Sequence, residues 1–458
     1  MQQTSTSANP EVPKPAPAVH WGPLWSEELE QARNVVGILV CHGMGQQVRY
    51  ETISAVAGRI LDEAKAKGGQ TGAVKVHLGR TEDQFIARAE VDWVDSSGQP
   101  HEVHVYEAYW APLTEGRVTF WDTLWFLLSA GGSGLRHSKL FRTATFRRWM
   151  FGDWRSLKIG PATFLGLLLT LAVLTLAMVL IAWGLAIAYV DIVPQIRQAL
   201  SLPPGVAWVT PLIPGLNDLR HWTSLDSTVR DRALGRFALW MAAAVAAYYF
   251  RYFLVQFVGD VAAYISPYKS SKFDEVRRNI QKVGLDVGKV VYGLDPTGKR
   301  DYPNYSRIVV VGHSLGSVVA YDTLNALINI ENTGAIGGRA VMRRTRALVT
   351  FGSPLDKTAF IFRMQRQDLL REQMVAAMQP LIVDYDRFRP LRFNWVNIWS
   401  RADVISGALN YYDRPDLPEN DPQHVENMQD PQARKPLAAH VQYWENDMLR
   451  EQLYRFVS

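Results

Sequence analysis

Arg307-Ile308-Val309-Val310-Val311-Gly312-His313-Ser314-Leu315-Gly316-Ser317-Val318-Val319-Ala320 decides the fold of this chain. A β-branched apolar run leads into Gly-His-Ser-Leu-Gly, and an apolar, helix-compatible run follows. Strand, sharp turn and helix in that order present a serine as a nucleophile at the strand end. The serine sits in a strained turn, so the residues two before and two after must be small enough for strand and helix to approach. The helix that starts there offers backbone N–H groups without intrahelical acceptors, where an oxyanion can be stabilised. Gly-x-Ser-x-Gly alone is common in ordinary turns. The flanking strand and helix signals select a nucleophilic Ser314 over a structural turn serine.

A second apolar strand, Asn34-Val35-Val36-Gly37-Ile38-Leu39-Val40-Cys41, ends in His42-Gly43-Met44-Gly45. Acyl transfer needs a second backbone N–H opposite the one that follows the nucleophile. A glycine-rich turn supplies it with no side chain in the way. The two oxyanion donors are therefore assigned to the N–H groups of Met44 and Leu315, with His42 orienting the loop rather than transferring a proton.

The 458 residues are 48% hydrophobic, enough for a large core and more than one folding unit. Cys41 is the single cysteine, so no intramolecular disulfide forms, and a reducing compartment is expected. The net charge of +5 is modest and gathers around apolar segments, which disfavours nucleic acid as a partner. Residues 1–20, rich in Ser, Thr and Pro, read as a flexible tail without a secretory signal. Residues 159–190 carry no charge and exceed the length needed to cross a bilayer. A second apolar span at 233–253 ends in Tyr248, Tyr249, Phe250, Arg251, Tyr252 and Phe253, a composition suited to the membrane–water interface. Basic residues precede the first span (Arg142, Arg147, Arg148, Arg155, Lys158) and follow the second (Lys269, Lys272, Arg277, Arg278). The positive-inside tendency then puts both flanks on the cytoplasmic face. Two crossings also leave the segments on either side of the hairpin free to share one site.

These motifs together resemble an α/β-hydrolase of the lipase type. His42-Gly43-Met44-Gly45 is similar to a lipase oxyanion loop, and Gly312–Gly316 to the serine elbow. Ala347-Leu348-Val349-Thr350-Phe351-Gly352-Ser353-Pro354 resembles the lipase strand ending in Phe-Gly-x-Pro. Trp395-Val396-Asn397-Ile398-Trp399-Ser400-Arg401-Ala402-Asp403-Val404-Ile405 resembles the strand and loop that deliver the acid. The resemblance covers parts of 34–60 and 300–445. It implies the triad order Ser, acid, His. Asp403 is the expected acid, with Asp356 as the alternative. His440, which precedes an apparent final helix, is favoured as the base over His424, which lies in a Pro- and Asp-rich stretch that reads as a long loop. His313 is read as an ordinary occupant of the elbow.

Strand-like runs at 35–41, 73–78, 84–94, 102–110, 307–311, 346–351 and 393–399 alternate with helical patterns at 47–66, 272–290, 317–330 and 357–378. The expected fold class is α/β, a doubly wound, mostly parallel sheet with an inserted two-helix transmembrane hairpin. Its parts are a tail at 1–20, a first hydrolase segment at 21–158, the hairpin at 159–258 and a second hydrolase segment at 259–458. Residues 118–130 read as an interfacial helix, a lid or a core helix. His101-Glu102-Val103-His104 lacks metal-ligand helical spacing, and neither metal nor cofactor is expected. The resemblance implies a membrane-anchored serine ester hydrolase on the cytoplasmic face of the inner membrane, a lipase or phospholipase acting on acyl esters. The alternatives are a membrane-bound acyl-thioesterase and a catalytically silent scaffold. Oligomeric state is not legible.

Overall fold

The computed structural model describes residues 35–45, 47–80, 85–115, 263–264, 271–294, 305–332, 341–358, 393–403, 405–409, 424–435 and 438–458, with a few single positions between them. Among these, nine strands form one sheet in the order β2-β4-β5-β1-β6-β7-β8-β9, with β3 also paired to β4. In chain order the strands are β1 (Val36–Cys41), β2 (Gln70–Thr71), β3 (Lys75–Arg80), β4 (Phe85–Val94), β5 (Pro100–Ala108), β6 (Arg307–His313), β7 (Thr345–Phe351), β8 (Asn394–Trp399) and β9 (Glu426–Gln429). Strands β5, β1, β6, β7, β8 and β9 run parallel to one another. Strand β4 is antiparallel to β5, β2 and β3, so the sheet is mixed but mostly parallel.

The helices are α1 (Glu51–Ala66), α2 (Ser271–Val291), α3 (Leu315–Asn332), α4 (Val341–Arg344), α5 (Ala439–Gln442) and α6 (Asp447–Val457). Successive strand residues point to opposite faces, and here both faces are apolar, which a central strand needs when helices cover the sheet on two sides. Val36, Ile38 and Val40 of β1, with Val309 and Val311 of β6, join Ile53, Val56 and Ile60 of α1 and Leu449 and Leu453 of α6. Leu39 and Cys41, with Ile308 and Val310, join Ile280 and Val287 of α2 and Val319 and Leu324 of α3. This is an α/β fold.

The Pro- and Asp-rich stretch around His424 is not only loop, as its composition suggested, but contains β9, which pairs with β8. Its residues, Glu426-Asn427-Met428-Gln429, lack an apolar alternation because β9 sits at the sheet's edge and is at most half-buried. The tail at 1–20, both apolar spans of the expected hairpin at 159–190 and 233–253, and nearly all of 118–130 lie outside the described residues. The helical pattern at 357–378 lies outside them beyond Thr358. Among the described residues no helix is long and apolar enough to cross a membrane.

Candidate active site

The site lies where the parallel strands end. Ser314 follows β6 directly and precedes α3, with φ 53°, in the left-handed region. A non-glycine residue there carries strain of about 1–3 kcal/mol, held by its surroundings. Phe351 O accepts the Ser314 N–H at 3.0 Å, and Ser314 O accepts the Ser317 N–H at 2.9 Å. A Cβ on Gly312 would lie 2.5 Å from Ser317 Cα, so the strand meets the helix only because that side chain is missing.

The loop after β1 lies over this turn. A Cβ on Gly43 would stand 2.8 Å from His313 Nδ1 and 3.0 Å from Ser314 Cβ. The Trp110 N–H donates to His42 Nε2 at 3.0 Å, so His42 Nδ1 carries the proton and donates to Gly43 O at 2.8 Å. The His42 ring also stacks on Trp110 with centroids 4.6 Å apart. Burial holds this imidazole down at about 4, against the opposing pull of Gly43 O. His42 thus ties the loop to the chain leaving β5. Gln47 Nε2 donates to Met44 O at 3.2 Å, which fixes the Met44 peptide from the other side. Leu315 is the first residue of α3, so its N–H has no acceptor within the helix.

His440, Asp403 and Ser314 form one hydrogen-bonded line. His440 Nε2 is 2.7 Å from Ser314 Oγ, and His440 Nδ1 is 3.0 Å from Asp403 Oδ2. All three side chains are buried. Burial alone would push the Asp403 carboxyl up. The His440 charge, its hydrogen bond, the Ile405 N–H and the Ser406 hydroxyl outweigh that and hold it down at about 2. The Ile405 N–H donates to Asp403 Oδ1 at 2.9 Å, and the Tyr443 hydroxyl donates to Oδ2 at 3.0 Å. A carboxylate with three donors stays ionised and stays put.

The alternative acid is not the one bonded to His440. Asp356 is buried with Lys357 Nζ 3.5 Å away, and Lys357 also donates to Ser406 O at 3.2 Å. Burial pushes the Asp356 carboxyl up, against the pull of Lys357. His424 stands ahead of β9 with its N–H on Asp421 O, and the histidine at Ser314 is His440. His104 reaches Tyr305 OH at 2.6 Å and Glu102 at 2.9 Å, while His101 reaches Asp95 at 3.1 Å. Among the described residues no group of side chains has the arrangement to hold a metal ion.

Three further residues shape the site without having stood out in the sequence. His313 donates from Nε2 to His440 O at 3.0 Å, and its ring stacks on Phe351 at 4.8 Å. Burial, with the nearby His440, holds this ring down at about 3. Asn397 of β8 donates to Gly407 O at 2.9 Å, which anchors the loop carrying Asp403. Tyr443 lies one turn beyond His440, a spacing that brings both side chains to the same carboxylate. That i, i+3 relation was the one available signal.

The two buried, neutral histidines predict acid lability. An unfolded chain protonates them near 6.5, but in the fold His42 does so only near 4 and His313 near 3. Below 6.5 the unfolded state therefore binds more protons, and stability falls as pH drops. Asp403 acts later, since its contribution is present above 3.8 and lost as pH falls through about 2. Melting temperature is expected to decline from about pH 6.5 toward pH 4. A flat profile over that range would contradict neutral buried rings.

No known protein family, curated protein or solved structure matches the chain.

Proposed function

We propose that the chain is a serine ester hydrolase of α/β-hydrolase type, with Ser314 as nucleophile, His440 as general base and acid, and Asp403 orienting His440. One observation carries the reading, the unbroken line from Asp403 through His440 to Ser314 Oγ at a strand-to-helix turn with positive φ. In this mechanism His440 Nε2 takes the Ser314 proton as Oγ bonds to the acyl carbon. The oxyanion accepts from the Met44 and Leu315 N–H groups. The tetrahedral species collapses, the alcohol leaves with the proton from His440, and water releases the acyl group by the same path in reverse.

The substrate proposed is an acyl ester of a lipid, with the enzyme held at the bilayer through 159–190 and 233–253. Support comes from the lipase-like motifs at 42–45, 312–316 and 351–354 and from the uncharged length of the first span. The test is fluorophosphonate labelling of the full chain in carbonate-washed membranes. Wild type and His424→Ala should label in the membrane pellet at similar rates. His440→Ala and Asp403→Asn should label roughly a thousandfold more slowly or worse. A folded wild type that does not label, or a base role that follows His424, would refute the assignment. Label found only in the soluble fraction would remove the anchor.

A further inference from the structure

Asp403 Oδ2 accepts two donors, His440 Nδ1 at 3.0 Å and the Tyr443 hydroxyl at 3.0 Å. The tyrosine oxygen in turn lies 3.0 Å from Ser406 Oγ, and the Ser400 N–H reaches Ser406 Oγ at 3.4 Å. Ser406 is also a hydrogen-bond partner of the Asp403 carboxyl, so its hydroxyl lies against both Tyr443 and the carboxylate. The Tyr443 bond to Oδ2 competes with the imidazole for the charge on that one oxygen. Tyr443 and Ser406 are both completely buried.

We infer that Tyr443 is a positioning residue that sets the basicity of His440 by sharing Asp403 Oδ2 with it. The inference rests on the serine-hydrolase reading above. With the tyrosine donating, part of the carboxylate charge is neutralised and the imidazolium is less stabilised. Without it, the full charge faces His440, which becomes more basic and releases its proton to the leaving group less readily. The other titratable groups facing this cluster are His313 from β6, Asp430 after β9, and the Asp356–Lys357 pair reaching Ser406 O. None of them donates to Asp403 Oδ2 among the described residues.

The experiment is the pH dependence of p-nitrophenyl butyrate hydrolysis and of fluorophosphonate inactivation, on the full chain in native membranes. In Tyr443→Phe the acid limb of kcat/KM and of inactivation should move up by about 0.5–1 pH unit. The kcat should fall roughly three- to tenfold with KM unchanged. Ser406→Ala, which removes a hydroxyl lying against both Tyr443 and Asp403, should move the limb in the same direction. A limb that stays at the wild-type value in Tyr443→Phe overturns the inference, even if kcat falls, because lost packing lowers rate without retuning the base. If Tyr443→Phe does not accumulate, Tyr443→Met, which keeps bulk without a donor, decides by the same criterion. A wild type that neither labels nor turns over overturns the hydrolase reading itself, and this inference with it.

Discussion

Ser314→Ala is expected to lose ester turnover by about five orders of magnitude or more and to lose fluorophosphonate labelling outright. No other hydroxyl is within hydrogen-bonding distance of His440 Nε2 among the described residues, so nothing there replaces the proposed nucleophile. Ser314→Gly should be equally inactive but melt higher than Ser314→Ala by about 1–3 °C. Both variants lose the bond to His440, so their difference isolates the φ of 53°. Glycine occupies that region without a Cβ penalty, whereas alanine keeps it. Turnover surviving in either variant would remove Ser314 from the mechanism. Equal melting temperatures would mean that the elbow stores no strain.

Gly316→Ala is expected to be the most disruptive single-methyl change in the site. The new Cβ would fall 2.1 Å from His42 O and 2.3 Å from Cys41 O, both backbone atoms that cannot rotate away. Either α3 must lift from β1 or the loop at 42–45 must shift, and each moves a backbone N–H, of Leu315 or of Met44, proposed above to hold the oxyanion. A loss of roughly 3–5 kcal/mol in stability is expected, together with loss of labelling in whatever protein remains folded. Gly58→Ala serves as the contrast. It lies within α1 with open space where its Cβ would go, so alanine should stabilise by about 0.5–1 kcal/mol. Full labelling in Gly316→Ala, with unchanged melting, would show that α3 and the end of β1 have room for a methyl group between them.

The parts of this fold that were legible in the sequence are those where one chemical requirement acts over a short stretch. The run from Ile308 to Val311 is apolar on both faces because one face of β6 joins a core that includes α1 and α6 and the other a core that includes α2 and α3. The glycines at 312 and 316 follow from the close approach at the turn. Strand β9 was hidden, because Glu426-Asn427-Met428-Gln429 is held by backbone pairing at an edge and needs no apolar face. Asn397 stood in the sequence as part of the segment resembling the acid-bearing strand, with no role assigned, yet it is buried and reaches the loop that carries Asp403.

The sequence by itself determined an α/β sheet with a serine turn at the end of a parallel strand, because alternation, glycine spacing and helix-compatible runs are local properties of the chain. Only the tertiary structure decided which acid and which histidine meet that serine. The motif resemblance favoured Asp403 over Asp356 and His440 over His424, but Ser314 and His440 are 126 positions apart, and His440 and Asp403 are 37 apart, so only the fold brings them into contact. It also decided that the elbow histidine, His313, holds the carbonyl of His440, and that Tyr443 shares its carboxylate. Hydrogen bonds require atoms within about 3 Å, and that proximity comes from the packing of whole strands and helices.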